Sequence, residues 1–251
     1  MKMSTVLITG AEGMIGSRLS EHLFEHGHDI VEFEGDVTDP MAWKPYQDDD
    51  YSFVIHLAAL AGVRDSFDKP DLYYHNNVEG TYQALEFAWE VQARVLYASS
   101  SNAWEWWGNP YATTKKMNEV QAQGRNAIGM RFHTIWPGRD DMLFRMLERG
   151  DVEYINVHHT RDFLHVDDLV DGIRRTMENF DDVLTQHPVV DYGTGHSTSV
   201  EAVAKVMGFE GQYRDTNPPG ERVHTKADIE WLLKLGWTPQ RNILDVSCHP
   251  K

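Results

Sequence analysis

Residues 4–16 read STVLITGAEGMIG and decide the fold class of this chain. The first six residues form a short run rich in β-branched and apolar side chains, which is typical of a strand buried in a parallel sheet. Gly10, Gly13 and Gly16 follow at once, within the start of a helical pattern. A strand, a glycine-rich turn and a helix in this order are the context that a dinucleotide-binding fingerprint requires.

Each glycine has a separate expected role in such a turn. Gly10 permits a tight turn, Gly13 lets the backbone approach a pyrophosphate at the helix N-terminus, and Gly16 lets helix and strand pack closely. From the residues alone, the three glycines could also serve only as a helix entry.

Acidic residues follow the second predicted strand, Asp29–Phe33. Glu34 and Asp36 stand where an acid typically holds the ribose hydroxyls of NAD and repels the extra phosphate of NADP. No Arg or Lys lies between His28 and Lys44. The segment therefore favours NAD over NADP, although both acids could also be ordinary turn residues.

Residues 95–116 (VLYASSSNAWEWWGNPYATTKK) carry the candidate catalytic groups. An apolar run predicts a buried strand that ends in Ser99-Ser100-Ser101, and a new helix is predicted to begin near Tyr111. A spacing of four puts Tyr111 and Lys115 on one face of that helix. A nearby cation favours the phenolate form of a tyrosine, which makes it a better base at neutral pH.

The tyrosine–lysine pattern also recurs by chance, and a buried-edge tyrosine with a solvated lysine is the plainer interpretation of the pair alone. Trp104, Trp106 and Trp107 lie in the same stretch. They could stack on a base or a sugar, or pack at the rim of the core.

Charge and cysteine content restrict the partners. The 251 residues include 23 Lys and Arg against 39 Asp and Glu, a net charge of −16, which argues against general affinity for nucleic acid or anionic membranes. The one cysteine, Cys248, permits no internal disulfide, and we predict an inert thiol.

No apolar run approaches the roughly 18 residues of a membrane span, and no leader segment is apparent. We expect a soluble cytoplasmic protein. The spacing of its histidines matches no metal site, so we predict no metal.

Strands alternate with helices along the chain, which predicts an α/β fold with a doubly wound parallel sheet of the Rossmann type. We expect a cofactor-binding core over residues 1–136, joined by a strand at 187–193. The more irregular segments 137–186 and 194–251 are expected to form a small C-terminal substrate lobe.

Eight segments together resemble the extended short-chain dehydrogenase/reductase family, the nucleotide-sugar epimerases and dehydratases. They are TGAEGMIGS, GDVTD, HLAALAGVRDS, NNVEGT, ASSSNAW, YATTKK, RDFLHVDDLVDGI and DYGTGHSTSV. The resemblance implies NAD as cofactor and a catalytic triad of Ser100, Tyr111 and Lys115. It implies cofactor contacts at Gly10, Gly13, Met14, Ile15, Gly16, Glu34, Asp36, Val37, Leu57, Ala58, Ala59, Asn77, Tyr111, Lys115 and Phe132.

Within this family the residues after the catalytic hydroxyl distinguish the reactions. Dehydratases and uronate decarboxylases usually carry acids there, whereas this chain has Ser101 and Asn102, which favours epimerisation. AGVRDS, YATTKKMNE and RFHTIW-PGRDDM are most similar to UDP-glucuronate 4-epimerases, and Thr134 replaces the Asn common in UDP-galactose epimerases. The resemblance thus implies epimerisation at C4 of a nucleotide sugar, UDP-glucuronate foremost, through a 4-keto intermediate.

Three alternatives stay open. The first is a UDP-glucose 4-epimerase, and the second a reductase of the dTDP-4-dehydrorhamnose type, which the short second-strand region resembles. The third is a redox-silent NAD-binding regulator.

The chain departs from the family in two places: a helix and a strand are missing between Glu34 and Asp36, and the loop from Trp107 to Tyr111 is short.

Substrate and assembly are the least determined by sequence. An acidic protein must neutralise a carboxylate and a diphosphate locally, and Arg64 and Arg139 are the candidates, since a bidentate Arg suits either group. They could instead cap a loop and form a surface ion pair. Ser100, Ser101, Asn102 and Thr134 complete the predicted substrate site.

The helices at Asp71–Glu90 and Tyr111–Gln123 resemble those that pair in dimers of this family, so we expect a homodimer.

Overall fold

Twelve strands are present in the computed structural model, which describes residues 3–245 and 247. They are β1 (Thr5–Thr9), β2 (Asp29–Glu32), β3 (Phe53–His56), β4 (Arg94–Ser100), β5 (Ala127–Phe132), β6 (Thr134–Trp136), β7 (Tyr154–Asn156), β8 (Thr160–Arg161), β9 (Phe163–His165), β10 (Val189–Tyr192), β11 (Thr198–Ser199) and β12 (Gln212–Arg214).

Ten α-helices and three tighter or wider helical segments accompany these strands in the described part of the chain. The α-helices are α1 (Met14–Glu25), α2 (Val63–Asp68), α3 (Pro70–Tyr73), α4 (Gly80–Glu90), α5 (Pro110–Gln121), α6 (Leu143–Arg149), α7 (Val166–Glu178), α8 (Phe180–Gln186), α9 (Val200–Val206) and α10 (Glu230–Lys234). The segments Pro40–Tyr46 and Ser101–Gly108 are 3-10 helices, and Tyr74–Glu79 is π-helical.

The central sheet has six parallel strands in the order β10-β5-β4-β3-β1-β2, which confirms the predicted Rossmann-like fold. Strand order reverses between β1 and β3, because the chain builds outward to β2 on one side and to β3, β4 and β5 on the other. Ligands of open parallel sheets bind at such a switch point, outside the carboxyl ends of the strands. The glycine turn after β1 and the segment after β3 both lie at this edge.

The chain folds into two compact units. The first contains residues 1–131 and 177–190, and the second contains residues 132–176 and 191–251. The core of the first unit is built on β1, β3 and β4, whose inward residues Leu7, Val54 and Val95 pack with aromatic residues from the segment before β3. The predicted assignment of a cofactor core and a substrate lobe stays a prediction.

The second unit is held by short strand pairs and by a buried carboxylate. Strand β6 pairs with β9, β8 with β11, and β7 with β12. Asp162 is fully buried and accepts hydrogen bonds from the backbone N–H groups of Thr194, Gly195 and Ala227, and from the Thr194 hydroxyl. This carboxylate therefore joins three segments that are distant in sequence.

Three predicted elements differ from the structure. The single strand expected at residues 128–135 is two strands, β5 and β6, which belong to different sheets and are separated at His133. The strand expected at residues 51–61 contains only Phe53–His56 as strand. Its register with β1 ends at the pair Thr9–His56, and Gly10 then turns away, so the following residues have no strand partner. The helix expected at residues 71–90 is continuous but includes the π-helical turn.

None of the described helices is both long and apolar enough to cross a membrane. Cys248 lies outside the described residues.

Candidate active site

The turn after β1 has the geometry of a backbone cradle. Gly10 has a φ of +69°, and a Cβ at this position would lie 2.8 Å from the backbone nitrogen of Ala58. A Cβ at Gly16 would clash with the carbonyl oxygen of Gly10. Both positions therefore require glycine, one for its conformation and close approach, the other for helix–strand packing.

The N-terminus of helix α1 lies in this cradle and is suited to bind an anion. Its N-cap is Gly13, no side chain caps it, and its first turn, which includes Met14 and Ile15, holds no acid. Backbone N–H groups at an uncapped helix N-terminus favour a phosphate group. These residues fit the pyrophosphate of a dinucleotide.

The acids after β2 are exposed, and one is held in place. Asp36 accepts hydrogen bonds from the backbone N–H of Thr38 at 2.9 Å and from its hydroxyl at 2.8 Å. These bonds lower the pKa of Asp36, so the carboxylate is ionised at neutral pH. Glu34 is exposed, and its backbone N–H donates to the Tyr46 hydroxyl. Val37 is buried, and its side chain packs where Gly80 lacks a Cβ.

Asn77 fixes the loop that follows β3. This buried side chain accepts from the Leu60 N–H at 2.8 Å and donates to the Leu60 carbonyl at 3.0 Å. It also donates to the Thr114 hydroxyl on α5. Leu57, Ala58 and Ala59 lie half-buried just before this clamp. Asn77 therefore links this loop to α5, and its predicted contact with the cofactor stays a prediction.

Tyr111 and Lys115 lie together at the start of α5, as the sequence predicts. Asn109 caps the helix by accepting from the Ala112 N–H at 2.7 Å. The Lys115 ammonium lies 6.0 Å from the centre of the Tyr111 ring and donates to the Ala98 carbonyl at 2.9 Å. Burial lowers the pKa of Lys115 to about 7. The geometry places a cation near a half-buried phenol.

Ser100 is the last residue of β4, and its hydroxyl caps the next helical turn. Its oxygen accepts from the backbone N–H of Asn102 at 3.2 Å and from the Asn102 side-chain amide at 3.3 Å. Ser101 is buried and Asn102 half-buried. The Ser100 hydroxyl retains its own proton for donation, as a group that holds a substrate oxygen must.

A buried network that no local sequence pattern predicts lies next to this serine. Glu119, one turn after Lys115, accepts from the Ser99 hydroxyl and from two nitrogens of Arg131. The Arg131 guanidinium lies over the ring of Trp104 at 4.2 Å. The only local signal was that Glu119 falls four residues beyond Lys115, on the same helical face.

The remaining predicted residues lie apart from these groups along the chain. Arg64 is exposed on α2 of the first unit. In the second unit, Phe132 makes an edge-to-face contact with Tyr192, and Thr134 begins β6. Arg139 is exposed and donates two hydrogen bonds, of 3.0 and 2.8 Å, to Asp141.

The second unit also contains a cationic group that sequence analysis missed. Arg161 donates to the carbonyls of Thr160 and Val223 and lies 4.0 Å from Glu221. Its guanidinium is largely buried. Burial lowers the pKa of Arg161 below its ordinary value, and the nearby charge of Glu221, which raises the pKa, offsets only part of this effect. His159 lies beside it at 3.4 Å. Among residues 3–245 and 247, no cluster of His, Cys, Asp and Glu could hold a metal ion.

Comparison with known proteins identifies one family. The NAD dependent epimerase/dehydratase family matches residues 6–190. Uncharacterized protein MJ1055 of Methanocaldococcus jannaschii is 29% identical over 313 aligned positions, which cover 97% of this chain and 94% of that protein. UDP-glucuronate 4-epimerase 4 of Arabidopsis thaliana is 28% identical over 229 positions, which cover 67% of this chain but only 52% of that protein.

Among solved structures, MoeE5 in complex with UDP-glucose and NAD has a TM-score of 0.80 at 27% identity. The match covers 96% of this chain and 95% of MoeE5. MoeE5 has also been solved in complex with UDP-glucuronic acid and NAD.

Proposed function

The chain belongs to the NAD-dependent epimerase/dehydratase family, and on that premise we propose that it interconverts UDP-glucuronate and UDP-galacturonate by epimerisation at C4. The observation that carries the proposal is the pairing of Tyr111 with the buried Lys115, next to the strand end that bears Ser100. These are a base, a cation that favours its ionised form, and a hydroxyl donor.

The residues at the switch point fit NAD, which the family requires. Gly10, Gly13 and the first turn of α1 would hold its pyrophosphate, and Asp36 a ribose. When bound, NAD supplies the hydride acceptor for the carbinol carbon and the donor that restores the hydride to the other face.

The protein residues manage the proton. Tyr111 as phenolate takes the proton of the sugar 4-hydroxyl as the carbonyl forms, and returns it when the 4-keto sugar has turned over and is reduced. Ser100 donates a hydrogen bond to the sugar oxygen in both states. In its protonated form, Lys115 stabilises the phenolate through its charge. Cofactor and enzyme leave each cycle as they entered, so no net oxidation occurs.

The residues after Ser100 support epimerisation over elimination. Loss of water or of CO2 from a keto sugar is assisted by a carboxylic acid near the ring. Ser101 and Asn102 occupy these positions, and neither can serve as an acid.

The uronate is the finer part of the proposal. Similarity to UDP-glucuronate 4-epimerase 4 and to MoeE5, which has been solved with UDP-glucuronic acid, supports it. Arg64 and Arg139 remain the predicted anion contacts. We add Arg161, whose guanidinium is largely buried and lies 4.0 Å from the Glu221 carboxylate. At that distance from its counter-ion it can gain from a shorter contact with a diphosphate or a carboxylate.

We also propose a homodimer formed through α4 and α5. Both helices lie in the first unit and expose apolar side chains, Tyr82 on α4 and Met117 and Val120 on α5. Such side chains on two adjacent helices suit a two-fold interface.

The experiment that tests the substrate is an NMR assay of the purified protein with UDP-glucuronate, UDP-glucose and a dTDP-4-keto sugar. Conversion of UDP-glucuronate supports the proposal. Conversion of UDP-glucose alone would indicate the UDP-glucose 4-epimerase alternative, and consumption of NADH with the keto sugar the reductase. NAD binding with no turnover of any of them would favour the regulator.

A further inference from the structure

A buried ion pair holds both ends of the segment that carries Ser100. The two carboxylate oxygens of Glu119 accept hydrogen bonds from Arg131 at 2.6 and 2.7 Å, and only 3% of the Glu119 side chain is exposed. Burial raises the pKa of Glu119, but the hydrogen bonds and charge of Arg131, with further hydrogen bonds from Ser99 and Lys116, together outweigh it and hold the pKa below its ordinary value. The pair is therefore charged and bidentate, which fixes its geometry.

The first anchor is the residue before Ser100. The Ser99 hydroxyl donates to Glu119 at 2.8 Å in a buried environment. This bond ties the end of β4 to α5, four residues beyond the Lys115 contact with the Ala98 carbonyl. The strand end is thus fixed by two polar contacts from one helix.

The second anchor is the residue four positions after Ser100. The Trp104 ring stacks on the Arg131 guanidinium at 4.2 Å, within cation–π range. Trp104 is 53% exposed, so the stack helps to hold this large side chain against the protein. Only the four residues from Ser100 to Ala103 lie between the two anchors. Within this segment, the Ser100 hydroxyl oxygen accepts a hydrogen bond from the backbone N–H of Asn102.

We propose that Glu119, Arg131 and Trp104 are positioning residues that set the place of the Ser100 hydroxyl for the reaction. The inference rests on the proposed function, in which that hydroxyl holds the sugar oxygen. A displacement of about 1 Å in a catalytic group can lower a rate by about a hundredfold, so a clamp on both sides of the serine has a kinetic consequence.

A double-mutant cycle tests the action through Ser100. Trp104→Leu removes the stack and leaves the ion pair in place. We expect it to lower kcat by about tenfold, with KM for the UDP-sugar and Kd for NAD unchanged. In a Ser100→Ala background the same substitution should change kcat less than about twofold, because the positioned hydroxyl is gone. Equal effects in the two backgrounds would overturn the proposal.

Two further variants separate positioning from general damage. Trp104→Phe keeps an aromatic ring over Arg131 and should restore most of kcat. Phe24→Leu removes an aromatic side chain that is 71% exposed, on α1 of the same unit, and should leave kcat unchanged. A loss of kcat in Phe24→Leu as large as in Trp104→Leu would contradict the assignment.

Hydrogen exchange tests the clamp without any substrate. Amides in the peptide spanning residues 99–104 should exchange faster in Trp104→Leu and in Glu119→Gln than in the wild type or in Phe24→Leu. Unchanged exchange in Trp104→Leu would refute the clamp itself. Faster exchange in a protein that turns over none of the candidate sugars would uphold the clamp and count against the proposed function alone.

Discussion

Lys115 contacts both halves of the candidate catalytic site: its ammonium lies 6.0 Å from the centre of the Tyr111 ring and donates to the carbonyl of Ala98, two residues before Ser100. One buried lysine therefore lies near the candidate base on α5 and is hydrogen-bonded to the strand that bears the candidate hydroxyl donor. In the proposed reaction, the proton chemistry depends on this lysine.

Removing the phenol should abolish most turnover while leaving the cofactor site intact. Tyr111→Phe keeps the ring, including its edge-to-face contact with Tyr73, but cannot exchange a proton. We expect kcat to fall by about 10²- to 10⁴-fold with unchanged Kd for NAD, measured by turnover and by calorimetry. Tyr82→Phe, an exposed tyrosine on α4, is the matched control. Near-normal turnover in Tyr111→Phe would reject Tyr111 as the base.

Burial of Lys115 should make its effect on stability depend on pH. Its pKa is about 7 in the folded protein and 10.5 ordinarily, so the unfolded chain binds more protons between these values. The free energy of unfolding of the wild type, relative to Lys115→Met, should therefore rise with pH, by about 3 kcal/mol between pH 7 and 9.5. Urea unfolding at several pH values measures this.

The control for this series is Lys44→Met, which removes an exposed lysine from the same unit. Its stability difference from the wild type should be flat over the same range. A flat difference for Lys115→Met as well would show that Lys115 is not desolvated in solution.

Asp36 should set the cofactor preference. The wild type is expected to bind NAD more tightly than NADP, because an ionised carboxylate held by Thr38 repels a 2′-phosphate. Asp36→Asn should weaken NAD binding by about tenfold and narrow the gap to NADP. Asp39→Asn removes the same charge three residues away, where it caps the 3-10 helix, and should leave the ratio unchanged. Tighter binding of NADP by the wild type would contradict the account.

The homodimer can be tested by mass. Light scattering at micromolar concentration should give about twice the 28.8 kDa chain mass. Val120→Glu, on the exposed face of α5, should lower the measured mass towards the monomer, because a charge buried in the proposed interface would have no partner. Val206→Glu, on α9, is the control. A monomeric wild type would refute the dimer.

Local patterns predicted the parts of the site that are local in sequence. The turn at Gly10 and the Tyr111–Lys115 pair each lie within one strand–turn–helix or one helical turn, where spacing determines geometry. The network of Ser99, Glu119, Arg131 and Trp104 could not be found in this way. Its contacts join β4, α5, β5 and a 3-10 helix, and no periodicity relates residues on separate elements.

The errors in strand prediction have a similar origin. An apolar run predicts a buried strand, but it does not show where the neighbouring strand that pairs with it ends. Residues 57–61 are apolar or small, yet β1 stops at Thr9, so β3 stops at His56. Residues 128–135 read as one strand, but the ladder changes partner, and Thr134 pairs with Phe163 in a second sheet.

The most direct test of the central claim follows the hydrogen at C4. UDP-glucuronate labelled with deuterium at C4 is incubated with the purified protein and NAD, and the product is examined by NMR and mass spectrometry. If Tyr111 removes only the hydroxyl proton and the carbon-bound hydrogen returns from the cofactor, UDP-galacturonate should form with deuterium retained at C4 and no net NADH. Loss of the label to solvent, or formation of no C4 epimer, would contradict the account.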